Sequence, residues 1–164
     1  MNINDIDVFV FDFDGVLTDN KVYVNEKGVE FVQCSRGDGL AFDVLRKLKK
    51  SVYILSTEKN NVVSVRANKL KVSVIQGIED KLIGIEQILK RENCNIEKVF
   101  YIGNDLNDFN VMTQCGVSGC PADSHFKIKE ISNFVFKTKG GDGVIRELLE
   151  EVFNLDFLEI LYKE

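Results

Sequence analysis

Apolar residues in this chain come either as short unbroken runs or at helical spacing, and the two kinds alternate. Val8-Phe9-Val10-Phe11 is unbroken and stops at Asp12, the form of a strand buried on both faces of a parallel sheet. Val52-Tyr53-Ile54-Leu55, Val72-Ser73-Val74-Ile75 and Val99-Phe100-Tyr101-Ile102 repeat that form; the first of these ends at Ser56-Thr57 and the last at Gly103-Asn104-Asp105. Between the runs the spacing becomes helical. Leu40, Val44, Leu45 and Leu48 predict a helix from about Leu40 to Lys50. Val62, Val65 and Leu70 predict one from Asn61 to Lys71 with those residues inward, and Gly77 to Glu92 reads as another. Val111 to Cys115 closes a further helix, Phe134-Val135-Phe136 gives a short strand, and Gly140-Gly141-Asp142-Gly143 leads into a terminal helix around Val144 to Val152. Val22-Tyr23-Val24 and Val29-Glu30-Phe31-Val32, joined by Asn25-Glu26-Lys27-Gly28, read as a β-hairpin with a glycine-containing turn.

Strands alternating with helices predict an α/β fold: a Rossmann-like parallel sheet with helices on both faces. The hairpin, over about residues 20–34, is the one excursion and is too small for a lid, so no cap domain is expected. A single domain over 1–164 is the expectation, with a C-terminal tail from about 139. Ligands on such sheets bind at the carboxyl ends of the strands. That rule gathers Asp12, Ser56 and Asp105 at one edge.

Composition narrows the partners. A net charge of -5 and a pI near 5.1 argue against nucleic acid or an anionic membrane, while a small anionic substrate remains compatible with a locally positive site. No apolar run approaches the roughly 20 residues that span a bilayer, and the N-terminus carries no signal-type pattern; cytoplasmic residence is expected. Cys34, Cys94, Cys115 and Cys120 show no Cys-x-x-Cys spacing, so free thiols are expected in place of zinc or disulfides. His125 is the single histidine, which leaves a Ser-His-Asp triad without support.

The strongest chemical constellation is Asp12, Asp14 and Asp105. Three carboxyl groups converging at one sheet edge repel one another unless a cation is present, and oxygen-only ligands favour Mg²⁺. The competing reading, acidic residues as caps or turn formers, stays open above all for Asp105. Asp12 and Asp14 follow an apolar strand and precede Gly15, which permits a tight backbone there. Ser56, with backbone N–H groups of a following helix, could hold a phosphate or simply cap that helix. Lys81 could reach the same edge as a cation or lie solvated on its helix.

These residues resemble a family. Asp12-Phe-Asp14-Gly15-Val-Leu-Thr18-Asp19, Ser56, Lys81 and Gly103-Asn-Asp105-Leu-Asn-Asp108 match in order the four motifs of the haloacid dehalogenase superfamily of phosphatases, across nearly the whole chain. The hairpin after the first motif, the lack of a cap and the ending Gly140-Gly141-Asp142-Gly143-Val-Ile-Arg146-Glu147 resemble the capless, tetrameric sugar-acid phosphatases of that superfamily. These act on 3-deoxy-D-manno-octulosonate 8-phosphate or on nonulosonate 9-phosphates, the sugar acids of lipopolysaccharide and sialic acid-like glycans.

The resemblance implies a homotetramer in which hairpins join, neighbouring subunits cap each other's sites, and the tail beyond Lys139 belongs to that cap. It implies that Asp12 is the nucleophile and Asp14 the acid and base. Mg²⁺ would lie between the side chains of Asp12 and Asp105 and the backbone carbonyl of Asp14. Ser56 and Lys81 would hold the transferring oxygens, and Asp108 would orient Lys81 or a metal-bound water. For the sugar, Thr57, Glu58, Arg66, Lys69 and Arg146 are implied, with Glu58, Arg66 and Lys69 tilting the expectation toward nonulosonates.

Three positions depart from the group. Asn104 stands where an aspartate is common and is expected to alter charge around the metal without binding it. Thr57 replaces a common glycine, and Arg36 lies one position early in an Arg-Asp-Gly-like stretch. Two other classes compete. A signalling receiver domain uses acidic residues, a hydroxyl, a lysine and Mg²⁺, but here the acidic pair brackets one residue on the first strand. A non-catalytic assembly module of a sugar cytidylyltransferase would not need Asp12, Asp14, Lys81 and Asp105 together.

Overall fold

The structure, a computed structural model, describes residues 1–163. In chain order the strands and α-helices are β1 (Val8–Phe11), β2 (Tyr23–Val24), β3 (Glu30–Phe31), α1 (Gly37–Lys47), β4 (Ser51–Leu55), α2 (Val62–Leu70), β5 (Ser73–Ile75), α3 (Lys81–Glu92) and β6 (Val99–Ile102). There follow α4 (Phe109–Met112), β7 (Val117–Cys120), α5 (Phe126–Ile131), β8 (Phe134–Val135), α6 (Val144–Glu147) and α7 (Phe157–Tyr162). Six strands form one parallel sheet in the order β5-β4-β1-β6-β7-β8. β2 and β3 pair antiparallel as a separate two-stranded ribbon, Tyr23 opposite Phe31.

The unbroken runs are explained by cover on both sides. Phe9, Phe11, Ile54, Phe100 and Ile102 face a core built with α1, α2 and α6, while Val8, Val10, Tyr53, Leu55, Val99 and Tyr101 face one built with α3, α4 and α5. Fully burying each such side chain stabilises by roughly 1.5–3 kcal/mol. The direction in which successive strands are added reverses at β1: β4 and β5 lie to one side, β6 to β8 to the other. The crevice beyond the carboxyl ends of β1 and β6 is therefore the topological switch point where such sheets bind ligands.

Some elements differ from the sequence expectation. α1 begins three residues before Leu40, and Leu40 is exposed while Ala41 and Phe42 are buried. On α2 the inward residues are Val63, Ala67 and Leu70; Val65 is 65% exposed. α3 starts at Lys81, because Asp80 caps it by accepting from the Leu82 N–H at 2.9 Å. The stretch from 140 onward, read from the sequence as a C-terminal tail, packs into the core. Val144, Ile145, Leu148 and Leu149 are fully buried, and Phe153 lies edge-on to Phe9 at 5.7 Å. Amphipathic spacing places these residues under the sheet, so truncation after Lys139 would open the core. Among the described residues no helix is long and apolar enough to cross a membrane.

Candidate active site

Three strand ends deliver the site. Beyond the last residue of its strand, Asp12 donates its backbone N–H to Ile102 at 2.9 Å, Ser56 to Ile75 at 2.9 Å and Gly103 to Gly119 at 3.2 Å. One extra backbone bond thus fixes each functional residue to the neighbouring strand. After Asp12 the chain turns tightly, the Phe13 carbonyl accepting from Leu17 at 2.9 Å and Thr18 at 3.1 Å. Gly15 makes this turn possible: its φ is +80°, and a Cβ there would lie 2.0 Å from the Asn104 amide. Thr18 Oγ1 accepts from the Gly15 N–H at 3.1 Å and donates to Asp14 Oδ1 at 3.5 Å, which steers that side chain.

Asp12 is buried, and its Oδ1 accepts from the Phe13 N–H at 2.7 Å and from Lys81 Nζ at 2.8 Å. Lys81, only 2% exposed, also reaches Asp108 Oδ1 at 2.6 Å. Asp108 is tied further by the Tyr101 hydroxyl at 2.8 Å and by the backbone N–H groups of Asn104 at 2.9 Å and Asp105 at 3.3 Å. One ammonium therefore serves two buried carboxylates. Burial, and next the Asp108 carboxylate, push the Asp12 carboxyl up to about 8 although Lys81 pulls the other way. Burial would draw Lys81 down, but Asp12 and Asp108 together hold it above its usual value. Asp14 is also raised, by burial first and then by the nearby Glu58 carboxylate.

This charge deficit fits an additional cation, and the oxygens that could hold one are at hand. The Asn104 side-chain amide lies 2.8 Å from the Asp14 carbonyl oxygen and 3.2 Å from Asp12 Oδ2. Two arrangements satisfy that geometry: the amide nitrogen donating to both, or the amide oxygen sharing a cation with both. Oxygens at 2.0–2.1 Å from an octahedral Mg²⁺ stand about 2.9 Å apart, close to these spacings. Asp105 lies at the solvent side of the site. It is exposed and caps the helical turn Leu106–Asp108, accepting from the Leu106 N–H at 2.7 Å. Among the described residues no three His, Cys, Asp or Glu side chains cluster closely enough to hold a metal. Asp12, the Asp14 carbonyl and the Asn104 amide thus lie together, while Asp105, which the sequence reading put among the ligands, stands at the exposed side of the same pocket with one carboxylate oxygen engaged in the capping bond.

A pocket of about 320 Å³ opens over these groups. Ser56, Thr57 and Asp105 line it, together with Asn20, Leu106 and Asn107, to which the sequence assigned no role. Asn20 holds a left-handed backbone at φ 61°; an Asp-Asn pair just past a first motif is the signal that could have marked it. Ser56 Oγ accepts from the Glu58 N–H at 3.1 Å, leaving its hydroxyl proton free for a ligand. Arg66 and Lys69 are not in this pocket. They line a separate groove of about 480 Å³ beside Cys34, with Arg36, Arg46 and Lys71. Cys34 bridges to Thr18, so that groove adjoins the first-motif loop. Arg146 is removed from both: its guanidinium pairs with Glu150 at 3.0 Å and stacks over Phe157 at 5.5 Å. Within its own chain the i,i+4 helical partner holds this guanidinium on the helix.

A family model for haloacid dehalogenase-like hydrolases matches residues 40–148. A 3-deoxy-D-manno-octulosonate 8-phosphate phosphatase of Yersinia pestis is 33% identical over 146 residues, which is 88% of this chain and 78% of that protein. A solved structure from Streptomyces avermitilis, described as a hydrolase of the same family, has a TM-score of 0.89 at 40% identity and covers 92% of this chain and 86% of its own. The 3-deoxy-D-manno-octulosonate 8-phosphate phosphatase of Moraxella catarrhalis, solved with magnesium, phosphate and the sugar acid, has a TM-score of 0.87 at 26% identity, covering 96% and 88%. The family match over most of the chain and the identity to its relatives lead to one conclusion: this chain belongs to the haloacid dehalogenase-like hydrolases.

Proposed function

We propose that the protein is a Mg²⁺-dependent phosphatase that hydrolyses a 2-keto-3-deoxy sugar acid phosphate through an aspartyl phosphate on Asp12. The observation that carries this reading is the buried Asp12 carboxylate, 2.8 Å from Lys81 and open to a pocket at the sheet's switch point. Asp12 attacks phosphorus while the bond from phosphorus to the sugar oxygen breaks. Asp14, whose raised carboxyl suits an acid, gives its proton to that leaving oxygen. The resulting Asp14 carboxylate then takes a proton from water as the water attacks the phosphoenzyme, which restores both aspartates. Ser56 and Lys81 hold the transferring oxygens, with Thr57 beside them, and Asp108 fixes Lys81. Asp12, the Asp14 carbonyl and Asn104 would hold Mg²⁺, which would supply positive charge to offset the repulsion between carboxylate and phosphate.

The finer substrate is a nonulosonate 9-phosphate. Glu58 stands close enough to raise Asp14, where a carboxylate can accept from sugar hydroxyls, and the neighbouring groove presents Arg66 and Lys69 to a sugar carboxylate. A second reading, octulosonate 8-phosphate, is favoured by the names of the relatives in Yersinia pestis and Moraxella catarrhalis. Tyr23, Val24 and Phe31 are more than half exposed on a two-stranded ribbon. Such a ribbon has no core of its own, which supports association as a homotetramer through the hairpins. Four unpaired cysteines suit a reducing cytoplasm.

Phosphate release measured side by side on the two substrates with Mg²⁺ tests the proposal. A higher kcat/KM on the nonulosonate is expected. A tenfold preference for the octulosonate would reverse the substrate choice, and no release from either would remove the phosphatase reading.

A further inference from the structure

We propose that Tyr101 is a positioning residue for this chemistry, acting through Asp108 to set how Lys81 is shared with Asp12; the inference rests on the phosphatase reading above. Asp108 accepts four hydrogen bonds. Lys81 Nζ at 2.6 Å and the Tyr101 hydroxyl at 2.8 Å share Oδ1, while the backbone N–H groups of Asn104 at 2.9 Å and Asp105 at 3.3 Å share Oδ2. An ionised carboxylate offers about four acceptor positions, so Asp108 is filled. The two backbone donors are fixed by the turn after β6, which leaves Tyr101 as the side chain that competes with Lys81 for Oδ1.

Tyr101 pairs in register with Val10 of β1 and is fully buried, and its ring belongs to the apolar cluster under α3 and α4. Packing alone asks only for a ring of that size, which phenylalanine would supply. Burying a hydroxyl costs free energy unless it is bonded, and Asp108 is the partner that satisfies it. With the hydroxyl donating, Oδ1 draws less strongly on the ammonium, and Lys81 stays within 2.8 Å of Asp12 Oδ1. Without it, Asp108 becomes the stronger acceptor and Lys81 moves off the nucleophile and the transferring oxygens.

The test uses Tyr101→Phe in the full chain with Mg²⁺, p-nitrophenyl phosphate as substrate, and orthovanadate and inorganic phosphate as inhibitors. The expected result is a kcat about tenfold lower with KM within twofold. Vanadate, which mimics the five-coordinate transition state, should weaken about tenfold while inorganic phosphate is unchanged. Combining Tyr101→Phe with Asp108→Asn should cost no more than Asp108→Asn alone. A lowered Tm with unchanged kcat and vanadate affinity would mark a purely structural tyrosine and overturn the inference, as would losses that multiply in the double variant. If Asp108→Asn does not fold, the contrast between vanadate and phosphate decides by itself. A wild-type protein that releases no phosphate defeats the underlying phosphatase reading; an active wild type matched by Tyr101→Phe defeats only this inference.

Discussion

Gly140→Ala tests whether the segment after β8 holds the first-motif loop in place. The Gly140 N–H is held by Asp123 Oδ1 at 3.0 Å, and the next N–H, from Gly141, reaches the Val16 carbonyl at 3.0 Å. A Cβ on residue 140 would lie 2.2 Å from the Gly15 carbonyl oxygen and 2.9 Å from that of Thr18. Carbon approaches oxygen to about 3.3 Å in such contacts, so the first of these distances is roughly 1 Å too short. Both obstructing atoms are backbone, and no rotamer can relieve them. The loop that carries Asp14 and Thr18 must move instead. A displacement near 1 Å at a reacting group costs on the order of 10²-fold in rate. Overpacking of this kind costs about 1–3 kcal/mol, or roughly 2–4 °C in Tm per kcal/mol for a chain of this size. The assay is phosphate release at saturating Mg²⁺, paired with a thermal melt. A folded variant whose kcat stays within twofold of wild type would show that this segment does not hold the loop.

Asp12→Asn should abolish turnover, because an amide is a poor nucleophile; phosphate release at the normal rate would reject Asp12. EDTA should silence the enzyme and Mg²⁺ restore it, and Asn104→Asp, by adding a negative charge 3.2 Å from Asp12 Oδ2, should tighten Mg²⁺ about tenfold or more in calorimetric titration. Unchanged affinity would remove Asn104 from the ligand set. Asp38 is buried at the start of α1, where burial raises its carboxyl to about 6 despite the Ile145 N–H at 3.1 Å. The folded state therefore binds the proton more tightly than the unfolded chain, and stability falls as pH rises from about 4 to 6, by roughly 3 kcal/mol. Asp38→Asn should flatten that part of the curve of Tm against pH; an identical slope would show that another group is responsible.

The central strands were legible because each is covered on both faces, and an unbroken run such as Val8-Phe9-Val10-Phe11 has no other economical explanation. β7 was not. Val117-Ser118-Gly119-Cys120 lacks bulk because the Phe136 and Phe100 rings fill the space, at 2.9 and 3.3 Å from where a Gly119 Cβ would be. Short α5 and α7, six residues each, went unpredicted; in α7 Phe157, Ile160 and Leu161 stand at helical spacing, but for less than two turns. In the site, Asp12, Asp14, Ser56 and Lys81 followed from strand ends and motif order. Which of two adjacent residues after β6 faces Asp12 did not, since Asn104 and Asp105 differ only in a backbone turn and a capping bond. Arg146 carries the right charge for a substrate, and its pairing with Glu150 one helical turn away could be read from the helix register alone.

The place of β1 in the sheet also bears on how the enzyme is made. Its residues 8–11 pair with 51–54 on one side and 99–102 on the other, so the strand is synthesised long before either neighbour. Contacts of such sequence separation form slowly, since loop closure must precede any reward. On the ribosome, one edge of β1 stays unpaired until β6 has emerged, a long exposure for a hydrophobic, strand-forming segment. Asp12 next to it is therefore ordered late, and hydrolytic activity can begin only after most of the chain has left the tunnel.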